Sequence, residues 1–430
     1  MNYVRRQLSS LSGALLANGL ATFFYILFRV LYDIRVRGLQ NYSASAPTLI
    51  TINHKRDLDI LIIASTLHLH KTFFKPKLRT WFVARDDLFA PGFLSAHFPI
   101  PWPLGKLAHR TNIGPIMRAL RAYPMSHLVH KRIGPLLRDV IQLEGDHKLG
   151  KIVKPKNLEE FAKLLGIRRD SYLDDLLVSD FLGYDYCRIH QRMTDVGILQ
   201  GELSRKVRAY SLDKVEQQLQ LFASILDDGN ICLLAPEGHL SPDGRFWPVK
   251  SGLHRLLSMT RADVRVFPVN TTYDFMTSGR MRVHITIGEE MVGLKKLRKV
   301  ELERQVQKNI VSLGPVTLGQ LGSQYILNKL HSGHKLVYED DLVRDLFSHA
   351  QTLKDRGLVL DDRLIQEKGF RRRLREFIGY CLAKRILTKA APGTFLIDRD
   401  LVLNATGCNH WENPVQYSSN ELHSLEEMTI

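Results

Sequence analysis

Three short apolar runs constrain this chain more than any other feature: Thr48-Leu49-Ile50-Thr51-Ile52, Ile231-Cys232-Leu233-Leu234-Ala235 and Val264-Arg265-Val266-Phe267-Pro268-Val269. Each has the length of a buried strand, and the first and third are rich in β-branched residues. Segments of helical character separate them. Residues 57–69 carry a broad apolar face, residues 213–226 are amphipathic and close on Asp227-Asp228-Gly229, and residues 249–260 read as a helix. Trp81–Ala84 reads as a further strand, and residues 281–287 alternate as an outer one. Strands alternating with helices across residues 46–290 imply an α/β fold, a mixed sheet covered by helices.

The rest of the chain flanks that unit. Leu11 to Phe28 is an uncharged run with Arg5 and Arg6 before it and Arg29, Arg35 and Arg37 after it. Its length is at the lower edge for a bilayer span. Basic residues at both ends fit a helix lying in or dipping into an anionic leaflet. A buried core helix is the alternative. Residues 1–40 are therefore read as a membrane-associating helix and linker. Residues 41–290 form the α/β domain, with a mostly helical insertion at 128–212. Residues 291–430 form a charged helical extension. The charge is uneven: residues 1–150 hold 20 Lys and Arg against 8 Asp and Glu. That end of the chain faces something anionic, and the adjoining apolar run favours lipid over nucleic acid. The run Arg371-Arg372-Arg373-Leu374-Arg375 reads as the solvated or lipid-facing side of a helix. The four cysteines are far apart and form no C-x-x-C, so they read as reduced thiols. The histidines form no metal-ligand spacing, and no glycine-rich nucleotide loop is present. No cofactor is expected.

The chemistry-bearing candidates follow the strands. Asn53-His54-Lys55-Arg56-Asp57-Leu58-Asp59 comes directly after the first one. Positions i and i+5 lie about 140° apart on an ideal helix, so His54 and Asp59 cannot meet on one. They meet if His54 sits in the strand-to-helix turn and Asp59 in the first helical turn. Asp57 is then the expected N-cap. Asp59 would hold one imidazole nitrogen while the other accepts a proton from a hydroxyl, and the turn's N–H groups would face an anion. The spacing alone is weak, since His190 and Asp195 repeat it. No apolar strand precedes that second pair, which reads as an exposed helical segment. The strand 231–235 runs into Pro236-Glu237-Gly238-His239, a glycine turn at a strand end, where α/β folds place ligands.

The ordered set NH-x-x-x-x-D, PEG and Phe267-Pro268-Val269 resembles the glycerolipid acyltransferase family. In particular, the chain is similar to the lysophosphatidate acyltransferases of phospholipid synthesis, over roughly residues 20–125 and 213–290. The resemblance implies a glycerol-phosphate-acyltransferase-like fold associated with the cytoplasmic face of a membrane. It implies transfer of a fatty acyl chain from acyl-CoA or acyl carrier protein to the hydroxyl of a lysophospholipid acceptor. His54 would be the general base and Asp59 its orienting partner. Asn53, Glu237 and Gly238 would line the acceptor site. Lys250 and Gly252 sit where the family often has a lysine and a glycine, and turn chemistry explains them equally well. The chain departs from the family at two cations: His127 and Leu240 stand where arginines usually stand. Arg121, Arg132 or Arg245 would then hold acceptor phosphate. The segment Tyr417–Ser424 resembles the trailing part of glycerol-3-phosphate acyltransferases, which keeps glycerol 3-phosphate, or another alcohol, as an alternative acceptor. A catalytically silent membrane-binding relative is the reading from a different class.

Overall fold

The computed structural model describes residues 11–43, 45, 47–73, 80–97, 101, 103–126, 130–166, 171–405, 407 and 409–429. The described residues include twelve strands: β1 (Asp33–Arg37), β2 (Thr48–Ile52), β3 (Thr80–Arg85), β4 (Ala122–Met125), β5 (His130–Arg132), β6 (Met193–Asp195), β7 (Ile231–Leu234), β8 (Arg265–Asp274), β9 (Arg282–Ile287), β10 (Leu336–Tyr338), β11 (Leu387–Ala391) and β12 (Thr394–Ile397). The chain divides into two compact units, one of residues 1–80 and 225–430, the other of residues 81–224.

In the first unit the sheet runs β1-β9-β8-β2-β7. The β2 strand pairs in parallel with β7 and β8, and β8 pairs antiparallel with β9, which pairs in parallel with β1. The fold is thus α/β with a mixed, mostly parallel sheet. Central β2 is buried at every position, which suits its uncharged run of four β-branched residues and Leu49. Parallel pairing sends β2, β7 and the first half of β8 in one direction, so their carboxyl ends share one edge. The Lys299–Val311 and Leu318–His331 helices pack on β8. Leu318–His331 begins with a capping box, in which Thr317 and Gln320 satisfy each other's backbone N–H groups.

Leu11–Leu31 is a helix of 21 residues. One side packs on the Asp59–Leu67 helix: Phe28 is buried, and Asn18 bonds His68 at 2.7 Å. The other side presents Phe23, Ile26 and Val30, each more than half exposed, at i, i+3 and i+7 spacing. Among the described residues, no helix is long and apolar enough to cross a membrane.

The region after residue 291 is less purely helical than expected. It contains a three-stranded antiparallel sheet, β10-β12-β11, packed with the Glu339–Asp355 and Glu367–Ala383 helices. The arginine run at 371–375 does not form a single solvated face. Arg371, Arg372 and Arg375 are exposed, but Arg373 is fully buried. It lies on the inward side of its helix and grips both carboxylate oxygens of Asp274, each at 2.6 Å. Arg363 adds a third contact to Asp274 at 2.8 Å. This fixes the end of β8, one residue past Tyr273.

In the second unit β3 pairs in parallel with β4, and β5 pairs antiparallel with β6. Its core includes Leu136, Leu137, Val140, Val153 and Phe181. Most of its described residues between 130 and 212 are helical, and the β5–β6 pair lies among them. Cys187, Cys232 and Cys381 are buried free thiols.

Candidate active site

The turn after β2 is built around one carboxylate. Asp59 opens the Asp59–Leu67 helix and is completely buried. Its Oδ2 accepts from the backbone N–H groups of Lys55 at 2.6 Å and Arg56 at 2.8 Å. The same oxygen lies 3.3 Å from His54 Nδ1. Its Oδ1 accepts from the Tyr273 hydroxyl. Four donors therefore converge on Asp59, and its negative charge assigns the Nδ1–H tautomer to His54. The His54 side chain is 14% exposed, and no hydrogen bond among the described residues engages Nε2. That atom is the one left to take a proton.

Two sequence expectations change here. Asp57 does not cap the helix, because it is exposed and the turn is closed by Asp59 itself. For the same reason three of the turn's N–H groups, those of His54, Lys55 and Arg56, are not open to an external anion. Two are taken by Asp59, and the His54 N–H donates to Glu237 Oε1 at 3.3 Å.

Glu237 follows β7 and is buried. Its Oε2 accepts from the Trp247 N–H at 3.3 Å, so the carboxyl ties the His54 turn to the 236–248 loop. Burial pushes its pKa up from 4.5 to about 7, against the opposing pull of the Trp247 and His54 N–H groups. The Ser241 N–H donates to the His54 carbonyl at 2.8 Å, so both backbone groups of His54 are held by this loop. Gly238 has a φ of +72°, which the tight turn requires. Gly244, also at positive φ, lets the loop approach the Tyr417 carbonyl so closely that a Cβ would lie 2.1 Å from it.

The helix Pro414–Thr429 completes the wall. Glu421 forms a buried ion pair with Lys55. Asn420 donates to the Asp243 carbonyl at 2.8 Å, and Ser424 accepts from the Phe246 N–H at 3.4 Å. The Tyr417–Ser424 segment thus packs on the candidate catalytic turn and loop.

The other candidates fall in different places. Asn53 is buried and exchanges two hydrogen bonds with the Thr271 backbone, at 2.7 and 2.9 Å, which prolongs the β2–β8 ladder through a side chain. Arg245 is 61% exposed, 3.8 Å from Asp243. Lys250 is exposed, with its N–H on the Pro236 carbonyl at 2.8 Å, and Gly252 starts the Gly252–Met259 helix. Arg121 and Arg132 belong to the second unit. Arg121 has a left-handed φ of 64°, with its carbonyl accepting from Phe82, and Arg132 donates to the Gln191 carbonyl at 2.7 Å. His127 lies outside the described residues.

The second H-x-x-x-x-D match does not assemble. His190 is buried rather than exposed, because its Nε2 donates to the Phe181 carbonyl at 2.7 Å inside the second unit's core. Burial lowers its pKa to about 4. Asp195 instead accepts from Gly197 and pairs with Arg208.

Tyr273 does not stand out in the sequence because β8 reads as ending at Val269. The β-forming residues Thr271, Thr272 and Tyr273 continue the strand and are the signal that extends it. Burial, then the Asp59 charge, raises the Tyr273 pKa well above its ordinary value, so the phenol is a donor. Arg56 does not stand out either. Its guanidinium lies 4.8 Å from the Tyr273 ring, 5.5 Å from Trp411 and 6.0 Å from Phe275. Among the described residues, no group of three His, Cys, Asp or Glu side chains is placed to hold a metal.

No protein-family model matches the chain, and no curated protein matches by sequence. Among solved structures, the chain is similar to one titled as the crystal structure of the 1-acyl-sn-glycerophosphate (LPA) acyltransferase, PlsC, from Thermotoga maritima. The identity is 14% and the TM-score 0.35, over 71% of this chain and 85% of that one.

Proposed function

We propose that this protein is an O-acyltransferase that moves a fatty acyl chain from a thioester donor, acyl-CoA or acyl carrier protein, to the hydroxyl of a lysophosphatidate-type acceptor. The observation that carries the reading is the His54 Nδ1–Asp59 contact at 3.3 Å, at the carboxyl edge of the parallel strands β2 and β7, with Nε2 unengaged among the described residues. His54 Nε2 removes the acceptor's hydroxyl proton as the oxygen attacks the thioester carbonyl. The C–S bond then breaks, and the imidazolium returns the proton to the leaving thiolate. Asp59 holds the ring and stabilises its transient positive charge. Glu237 and Ser241 fix the His54 backbone. No covalent acyl-enzyme is needed.

The exposed stripe of Phe23, Ile26 and Val30 supports a peripheral contact with an anionic bilayer, where the acceptor resides. Glycerol 3-phosphate is the second acceptor reading. It is favoured by the packing of Tyr417–Ser424, the segment similar to that enzyme class, against the candidate site.

The test is acyl transfer by the purified protein from labelled thioester donors to a panel of glycerol-based alcohols. Transfer to a phosphorylated acceptor is expected, reduced about 10²–10⁴-fold in His54→Ala with the fold retained. Wild-type turnover by His54→Ala would refute the assigned base.

A further inference from the structure

We propose that Arg56 is the cation that binds the phosphate monoester of the acceptor. This rests on the acyltransferase reading and assigns its anion subsite to a residue outside the arginine positions that the family resemblance supplies.

The inference follows from what the other donors around His54 are doing. The backbone N–H groups of Lys55 and Arg56 are spent on Asp59, and that of His54 on Glu237. The Lys55 ammonium is buried against Glu421. Arg245 is turned to Asp243 at the surface. Arg56 differs from all of them. It is two residues from His54, partly exposed, and among the described residues no carboxylate pairs with it. Among the described residues its one side-chain hydrogen bond is a weak contact to Met281 Sδ at 3.7 Å.

The guanidinium is nonetheless held in place. It lies over the ring of Tyr273, whose hydroxyl reaches Asp59, so the stack anchors the charge to the same carboxylate that orients His54. Phe275 and Trp411 approach it as well. Aromatic contacts position a guanidinium without consuming its N–H groups. A positioned fork with unused donors suits bidentate binding of a phosphate, which a lysine does not reproduce. Trp411 is 79% exposed, so the cluster opens to solvent.

Trp411 also supplies the assay. Full-length protein is titrated with glycerol 3-phosphate, inorganic phosphate and glycerol while tryptophan fluorescence is followed, with Trp411→Phe identifying the responding residue. Glycerol 3-phosphate should give a saturable Trp411 signal and glycerol none. Arg56→Gln should weaken binding about 10- to 100-fold, the loss expected for a charge-assisted hydrogen bond. Arg56→Lys should recover part of it. In steady-state acyl transfer, Arg56→Gln should raise KM for a phosphorylated acceptor by a similar factor and leave KM for the donor unchanged. A purely structural clamp would instead lower kcat or raise both KM values together, and that result overturns the assignment. Unchanged phosphate binding by Arg56→Gln overturns it too. If Arg56-dependent phosphate binding is present but no alcohol is acylated, the anion subsite stands and the acyl-transfer reading falls.

Discussion

Replacing Glu237 by glutamine should change how stability depends on pH, in a direction that the site's geometry fixes. The carboxyl is buried beneath the His54 turn, and burial raises its pKa from 4.5 to about 7. The folded protein therefore binds this proton more tightly than the unfolded chain does. That contribution is complete below about pH 4.5 and is lost as pH rises through 7. At about 1.4 kcal/mol per pH unit for one group, the full effect is about 3 kcal/mol, of which about 2.5 falls between pH 5 and pH 8. Glutamine cannot ionise, so this dependence disappears. It can offer an acceptor to only one of the His54 and Trp247 N–H groups, which adds a pH-independent cost of about 1 kcal/mol. Urea unfolding of wild type and Glu237→Gln at pH 5 and pH 8 measures both effects. The variant should be the less stable protein at pH 5 and should gain about 2.5 kcal/mol on wild type by pH 8. Parallel pH profiles would show that the carboxyl is not desolvated, and the reasoning would fail.

Two further outcomes follow from the buried groups beside it. Glu421→Ala leaves the Lys55 ammonium buried without a partner and should cost about 3–5 kcal/mol in denaturant unfolding, while Lys55→Met combined with Glu421→Leu should recover most of that loss. Tyr273→Phe removes one of the four donors to Asp59; a loss of about 1.5–3 kcal/mol is expected in thermal unfolding, with activity reduced less than in Asp59→Asn.

What is legible in the sequence is local. The His54–Asp59 pair spans five positions and follows a strand that its β-branched run makes unmistakable, so the residues themselves place its turn. The Glu237 turn is legible for a similar reason, through Gly238 after a buried apolar run. The partners that complete the site are not. Tyr273 is 214 positions from Asp59, and no periodicity encodes that contact. Asp57 and Asp59 compete for one capping role, and composition cannot say which carboxylate points inward. The β10–β12 sheet leaves little trace because its strands are short and largely exposed among charged helices. His190 reads as solvent-facing from its polar neighbours, whereas one carbonyl in a folded core is enough to bury it.

The sequence separation within the site also sets a timetable. His54 meets Glu237 across 183 positions and Asp59 meets Tyr273 across 214. A ribosome adding about 5–20 residues per second needs roughly 10–40 s to make Tyr273 after Asp59. During that interval β2 has emerged without β7 or β8, the two strands that cover its edges. A nascent chain thus carries an unpaired strand, built for full burial, long before it can close its central sheet. For this protein the vulnerable period in the cell is synthesis itself, and holdase capture of the emerging β2 segment, rather than rescue of the finished fold, is where chaperones would raise the yield.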